Sequence, residues 1–146
     1  MEVQVSTEVD RPVADVWRFY AVEHVHNHPR WDPDMRLEKL SDGPITVGTR
    51  IRRVNTRWDT PVEGEMEVVE FDPERALAVS IHDRNMDAQG RATFEARGPA
   101  RTLVTVTTRI EGMDDPEKLE FLTRMMQRSV DNVKRLIETE IAPADE

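Results

Sequence analysis

The chain contains no cysteine, which excludes disulfides, thiolate metal sites and any reaction through a nucleophilic thiol. It has no long apolar run either: nothing approaches the ~20 residues of a membrane span, and the amino terminus shows no basic region followed by a signal-like apolar stretch. Membrane insertion is therefore not expected, and the expected location is cytoplasmic. Clusters of cationic residues are missing as well. With 20 Lys and Arg against 29 Asp and Glu, and a net charge of −9, nucleic acid and anionic membrane surfaces are poor partners. No repeat, low-complexity segment or linker interrupts the chain, and its 146 residues suit one domain spanning 1–146. No cofactor is expected, and the assembly is expected to be a monomer or homodimer.

What is present is patterned. The longest periodic stretch, Asp114 to Ile141, places Leu119, Leu122, Met126, Val130, Val133, Ile137 and Ile141 on one stripe of a helix. Asp114 and Asp115 ahead of Pro116 give it an acidic start, and Pro143 stops it. A stripe of that length needs a broad partner, and a sheet is the only broad element available. Val3, Val5, Thr7 and Val9 alternate with polar residues as a first strand. Asp10 as a cap, Pro12 and the set Val13, Val16, Trp17 and Tyr20 predict a short helix. A second short helix or irregular segment is expected over Ala21 to His28, then a loop rich in Pro and Asn, and a strand from Met35 to Leu40.

From Val47 to Ile110 the alternation predicts five hairpin-joined strands. Centring the Trp58-Asp59-Thr60-Pro61 turn opposes Ile51 to Val68, Arg53 to Met66 and Asn55 to Gly64. Later turns oppose Val68 to Val79, Met66 to Ile81, Gly64 to Asp83, Val79 to Phe94, Ile81 to Ala92, Phe94 to Val104 and Ala92 to Val106, with a bulge expected near Val69 and Phe71. The order is strand, two short helices, six antiparallel strands and a long helix, an α+β arrangement.

Four motifs carry a family resemblance: Val5-Ser6-Thr7-Glu8-Val9-Asp10-Arg11-Pro12-Val13-Ala14-Asp15-Val16-Trp17, Trp31-Asp32-Pro33, Val47-Gly48-Thr49 and Val68-Val69-Glu70-Phe71-Asp72-Pro73. Together they resemble the polyketide cyclase/dehydrase branch of the START-like, or SRPBCC, superfamily. The resemblance implies the helix-grip fold, a curved seven-stranded antiparallel sheet wrapped around the carboxy-terminal helix, with two short helices after the first strand. It also implies a deep cavity for a hydrophobic small molecule such as a lipid, polyketide or aromatic metabolite. The alternative it implies is a polyketide aromatase/cyclase or dehydratase acting in the same cavity.

The register puts Ile51, Arg53, Asn55, Met66, Ile81, Asp83 and Phe94 on the face that looks into such a cavity. Trp31, Met126 and Ser129 are placed at its entrance or on the helix above it, and these ten residues are the candidate ligand-binding set. Polar groups on this face either orient ligand oxygens or form a structural Arg53–Asp83 pair, with Asn55 and Arg57 at a solvated rim. In the second reading of the family, Arg53 polarises a carbonyl while Asp83 or a water moves a proton. His24, His26 and His28 are expected in a loop at the cavity mouth, as a solvated surface or gate rather than a metal site. His82 falls on the outward parity of its strand.

Overall fold

The computed structural model describes residues 2–57 and 59–143. The alternating amino-terminal stretch forms β1 (Glu2–Val9), with Val3, Val5 and Val9 buried, Thr7 partly buried on the same face, and Glu2, Gln4, Ser6 and Glu8 turned out. Two short helices follow, α1 (Val13–Trp17) and α2 (His24–Trp31), joined by a π-helical turn over Arg18–Val22. Six strands come next: β2 (Met35–Lys39), β3 (Arg50–Asn55), β4 (Val62–Asp72), β5 (Ala76–Asp83), β6 (Met86–Ala96) and β7 (Thr102–Ile110). The chain then forms α3 (Pro116–Glu140). All seven strands make one antiparallel sheet in the order β1-β7-β6-β5-β4-β3-β2, so the helix-grip arrangement is present.

The start and stop of α3 follow from its ends. The Asp115 carboxylate accepts from the Glu117 N–H at 3.0 Å, and Pro116 occupies the first turn, where no backbone donor is needed. At 25 residues the helix is about 37 Å long. Its second half lies against the sheet, with Val130, Val133 and Ile137 buried. Its carboxy-terminal carbonyls are capped by a side chain from elsewhere: Arg11, itself buried, donates to Ile141 O at 2.7 Å and Glu138 O at 2.6 Å. Lys134 Nζ donates to Glu8 O at 2.7 Å, and the Asp10 N–H donates to Glu138 Oε2 at 2.8 Å. The first half differs from expectation. Leu119, Leu122 and Met126 are only partly buried and Phe121 is exposed, because this half stands off the sheet.

Three local expectations are corrected. Asp10 does not cap α1, whose N-cap is Pro12 without a side-chain bond; the Asp10 carboxylate instead receives Arg101 Nε at 3.0 Å. The loop expected from Asn27 through Pro29 is helical and belongs to α2. Asn27 does not break it because its amide is engaged elsewhere, donating to Phe19 O and accepting from Arg30 Nη1, both at 2.9 Å. The hairpin registers are the third. Ile51 opposes Met66, Arg53 opposes Gly64 and Asn55 opposes Val62, a slip of two from expectation. Val79 opposes Gly90 and Ile81 opposes Ala88, a slip of four, because a two-residue turn at Arg84 and Asn85 lets β6 begin early. Even slips preserve which face each residue occupies. The pairings of β4 with β5 and of β6 with β7 match expectation, and the β4 bulge falls at Val69. Trp58, at the centre of the expected β3–β4 turn, lies outside the described residues.

Candidate functional site

Because the first half of α3 stands away from the sheet, a cavity of about 1000 Å³ remains between them, bounded at one end by α2. Most of its wall is apolar, including Met66, Val79, Ile81 and Val106 from the sheet and Leu122, Met126 and Val130 from α3. Polar side chains lie at both ends: Arg53, Asn55, Arg57, Asp83, Asp32 and His28 line the wall at the α2 end, and Glu111, Asp114, Asp115, Glu117 and Lys118 line it around the start of α3.

Arg53 and Asp83 are held in place by the sheet itself. Arg53 on β3 faces Gly64 on β4, and Gly64 faces Asp83 on β5. With no side chain on the middle strand, the two charges meet across it, Arg53 Nε lying 2.9 Å from Asp83 Oδ1. A Cβ on Gly64 would fall 2.0 Å from that oxygen and 2.7 Å from the Asp83 Cα. The contact is close but misaligned: neither the Nε–H nor Oδ1 has a partner in hydrogen-bonding geometry among the described residues. Burial lowers Arg53 from its ordinary value and raises Asp83 from its own, and in each case the partner's opposite charge resists the shift. A second pair lies beside the first. Arg57 Nη2 sits 3.2 Å from Asp32 Oδ1 and Arg57 Nε 3.3 Å from Asp34 Oδ2, while burial raises the Asp32 carboxyl against the pull of Arg57. Asn55 Oδ1 accepts the Arg57 backbone N–H at 2.9 Å, which turns its side-chain NH₂ away as a donor.

The floor of this end is aromatic and comes from the π turn and α2. Tyr20, His24, His28 and Trp31 recur at intervals of four, four and three, so they share one helical face. Trp31 is buried and sandwiched, stacked on Tyr20 at 4.6 Å and 14° and on His28 at 5.2 Å and 15°. His24 Nδ1 lies 2.8 Å from Tyr20 O, and His28 Nδ1 lies 3.0 Å from His24 Nε2. Burial lowers His24 to about 4, partly resisted by its bond to the Tyr20 carbonyl. Burial also lowers His28 well below the usual histidine value, with His24 and Arg53 adding to the effect. Burial raises the Tyr20 phenol.

Of the ten candidate residues, Trp31, Arg53, Asn55, Met66, Ile81, Asp83, Met126 and Ser129 line the cavity. Ile51 and Phe94 do not. Ile51 is fully buried in a core cluster with Met66 and Ile81, and Phe94 is taken up by edge contacts with Trp17 and Tyr20. Arg57 is a part-buried wall residue rather than a solvated rim group. The histidines form part of α2 and not a mouth loop: His24 is buried, His28 lines the wall, and His26 alone is exposed. Among the described residues no group of three or more His, Asp or Glu is placed to hold a metal ion. His82 is exposed as expected, beside Asp87 at 3.0 Å. Tyr20, His24 and His28 were legible only through their helical spacing, which the apparent Asn27 and Pro29 breakers obscured.

A long helix gripped by a curved antiparallel sheet over a largely apolar cavity defines a helix-grip architecture. The chain belongs to the family described as polyketide cyclase/dehydrase and lipid transport, whose model it matches over residues 1–138. No curated protein matches the sequence. Solved structures share the fold at low identity. A START superfamily protein from Mycobacterium smegmatis has a TM-score of 0.79 at 13% identity, covering 94% of this chain and 97% of that one. The ZhuI aromatase/cyclase from Streptomyces sp. R1128 has a TM-score of 0.74 at 15% identity, covering 97% and 96%. Norcoclaurine synthase from Thalictrum flavum, in complex with dopamine and hydroxybenzaldehyde, has a TM-score of 0.71 at 16% identity, covering 97% of this chain and 88% of that one. Among the described residues no helix is long and apolar enough to cross a membrane.

Two measurements probe this geometry. Replacing Arg53 by Met leaves Asp83 buried without a counter-charge and should destabilise the protein by roughly 3 to 5 kcal/mol. Arg53→Met with Asp83→Leu should recover most of that loss in urea unfolding; if the double variant is no more stable than the single one, the pair is not the buried unit described here. Acid stability probes the histidines. His24 binds its proton less readily folded than unfolded, so stability should be constant above about pH 6.5 and fall as the pH drops towards 4. Between pH 7 and 5 His24 should contribute roughly 2 kcal/mol of loss, and His28 adds to it in the same direction. The raised Asp32 and Asp83 carboxyls act with the opposite sign, stabilising the fold as they protonate above the ordinary value of 3.8. Substituting His24→Gln should flatten the fall between pH 7 and 5, and an unchanged slope would mean His24 is not held neutral.

Proposed function

We propose that the protein binds a neutral, mostly apolar small molecule that carries oxygen atoms at one end, with the apolar body along α3 and the oxygens at the α2 end. The observation that carries this reading is the cavity wall: apolar between its ends, with Arg53, Asn55 and His28 converging at the α2 end and a largely acidic group around the start of α3. The charge balance argues for a neutral ligand. At the α2 end each arginine already has a carboxylate, Arg53 with Asp83 and Arg57 with Asp32, so a carboxylate or phosphate head placed there would meet no spare positive charge. N–H donors are available all the same. Arg53 meets Asp83 through Nε and Asn55 takes the Arg57 N–H through Oδ1, so neither contact uses the Arg53 terminal nitrogens or the Asn55 NH₂. They suit a carbonyl or phenolic oxygen. The binding of such a molecule agrees with the family's description and with the aromatic ligands of norcoclaurine synthase.

A panel of probes with similar apolar bodies tests this. An aryl ketone should bind more tightly than the matching alkylarene by roughly 0.5 to 1.5 kcal/mol, about two- to tenfold, for one net hydrogen bond. A fatty acid of comparable length should bind more weakly than the ketone. Calorimetry in which the fatty acid binds best, or the alkylarene equals the ketone, would contradict the reading.

A further inference from the structure

The neighbouring imidazoles on α2 constrain one another. A carbonyl oxygen only accepts, so the nitrogen 2.8 Å from Tyr20 O, His24 Nδ1, carries the proton. A neutral imidazole has one N–H, which leaves His24 Nε2 with a lone pair. The nitrogen 3.0 Å from that lone pair, His28 Nδ1, must then donate. By the same rule His28 Nε2 is unprotonated. Among the described residues nothing bonds to it, and His28 forms part of the cavity wall beside Arg53. Both rings are thereby fixed as Nδ1–H tautomers, the reverse of the form that a free histidine side chain prefers. The neutrality this requires is what burial enforces on both rings, and the Arg53 charge adds to it at His28. The stack on Trp31 holds the His28 ring plane, so the lone pair has a fixed direction as well as a fixed identity.

We infer that His28 Nε2 is a hydrogen-bond acceptor built into the cavity, and that the site selects a molecule offering a hydroxyl donor to His28 together with an oxygen acceptor to Arg53 or Asn55. The class of ligand is a hydroxylated aromatic ketone or a similar enol or phenol paired with a carbonyl. The inference rests on the cavity's taking a small molecule as proposed above, and it narrows which one. Arg53 and the Asn55 NH₂ are donors, and the carboxylates at this end face arginines. His28 Nε2 is a neutral acceptor with a fixed direction, and such a group discriminates a free hydroxyl from its ether. A chain of bonds from the Tyr20 carbonyl through both rings also strengthens the terminal acceptor, because each bond polarises the next.

Two measurements test it. The first is the nitrogen NMR spectrum of ¹⁵N-histidine-labelled protein at neutral pH, without ligand. His24 and His28 should each show a pyrrole-type Nδ1 and a pyridine-type Nε2, and a protonated His28 Nε2 would overturn the inference with no variant needed. The second compares 6-acetyl-2-naphthol with 6-acetyl-2-methoxynaphthalene, which keep the same ring and carbonyl. Wild type should prefer the naphthol by roughly tenfold, and His28→Phe, which preserves a ring against Trp31, should abolish the preference while still binding the ether. Binding of both probes with equal affinity to wild type overturns the inference but not the cavity reading. Failure of wild type to bind either probe overturns both. Should His28→Phe fail to fold, the wild-type preference and the nitrogen spectrum together decide.

Discussion

The structure depends on one close approach: Arg53 and Asp83 meeting across a strand that has no side chain between them. Gly64 makes this possible, since any Cβ there would strike the Asp83 carboxylate and backbone. Burying two charges is expensive and is tolerated only as a pair. The pair therefore fixes three strands relative to one another at the α2 end of the cavity. It also sets the electrostatics of that end. Because Arg53 is already balanced, its remaining N–H groups act as directed donors rather than as an excess positive charge.

The other determinant is the uneven anchoring of α3. Its second half is held by burial of Val130, Val133 and Ile137, by Arg11 reaching across from the end of β1, and by Lys134 reaching back to Glu8 on β1. The first half has no such burial, and Leu122 and Met126 there form part of the cavity wall. The same helix thus closes the core at one end and roofs the cavity at the other. The aromatic floor is as firmly fixed as the pinned end of the roof. Asn27 ties α2 to the Phe19 carbonyl, and Arg30 pairs with Glu140 at the end of α3 and lies over the Phe19 ring. Asn132 on α3 donates to Trp31 O at 3.1 Å.

Much of this was legible in the sequence because it rests on period and parity. The alternation of β1, the stripe of α3 and its Asp115-Pro116 start are local signals, and local chemistry decided them. Strand faces were legible where exact registers were not, since a slip of two or four residues leaves parity untouched. That is why parity alone places Arg53, Asp83, Met66 and Ile81 on the cavity face, although Arg53 lies opposite Gly64 and not Met66. The failures were tertiary. Asn27 reads as a breaker until its amide is seen to serve Phe19 and Arg30, and the histidines read as a loop for the same reason. Phe94 has the parity of a wall residue, but Trp17 and Tyr20 fill the space before it. Nothing in the spacing of Leu119 and Leu122 says that the sheet will fall away beneath them.

The central claim is that the α2 end of this cavity donates hydrogen bonds to the oxygen of a neutral ligand. Infrared difference spectroscopy reads that bond directly, using 6-acetyl-2-methoxynaphthalene labelled with ¹³C at its carbonyl. The account predicts a bound carbonyl stretch at lower frequency than in an alkane solvent, with the displacement reduced in the Arg53→Met, Asp83→Leu double variant. A bound carbonyl vibrating as it does in alkane, in the wild-type protein, would contradict it.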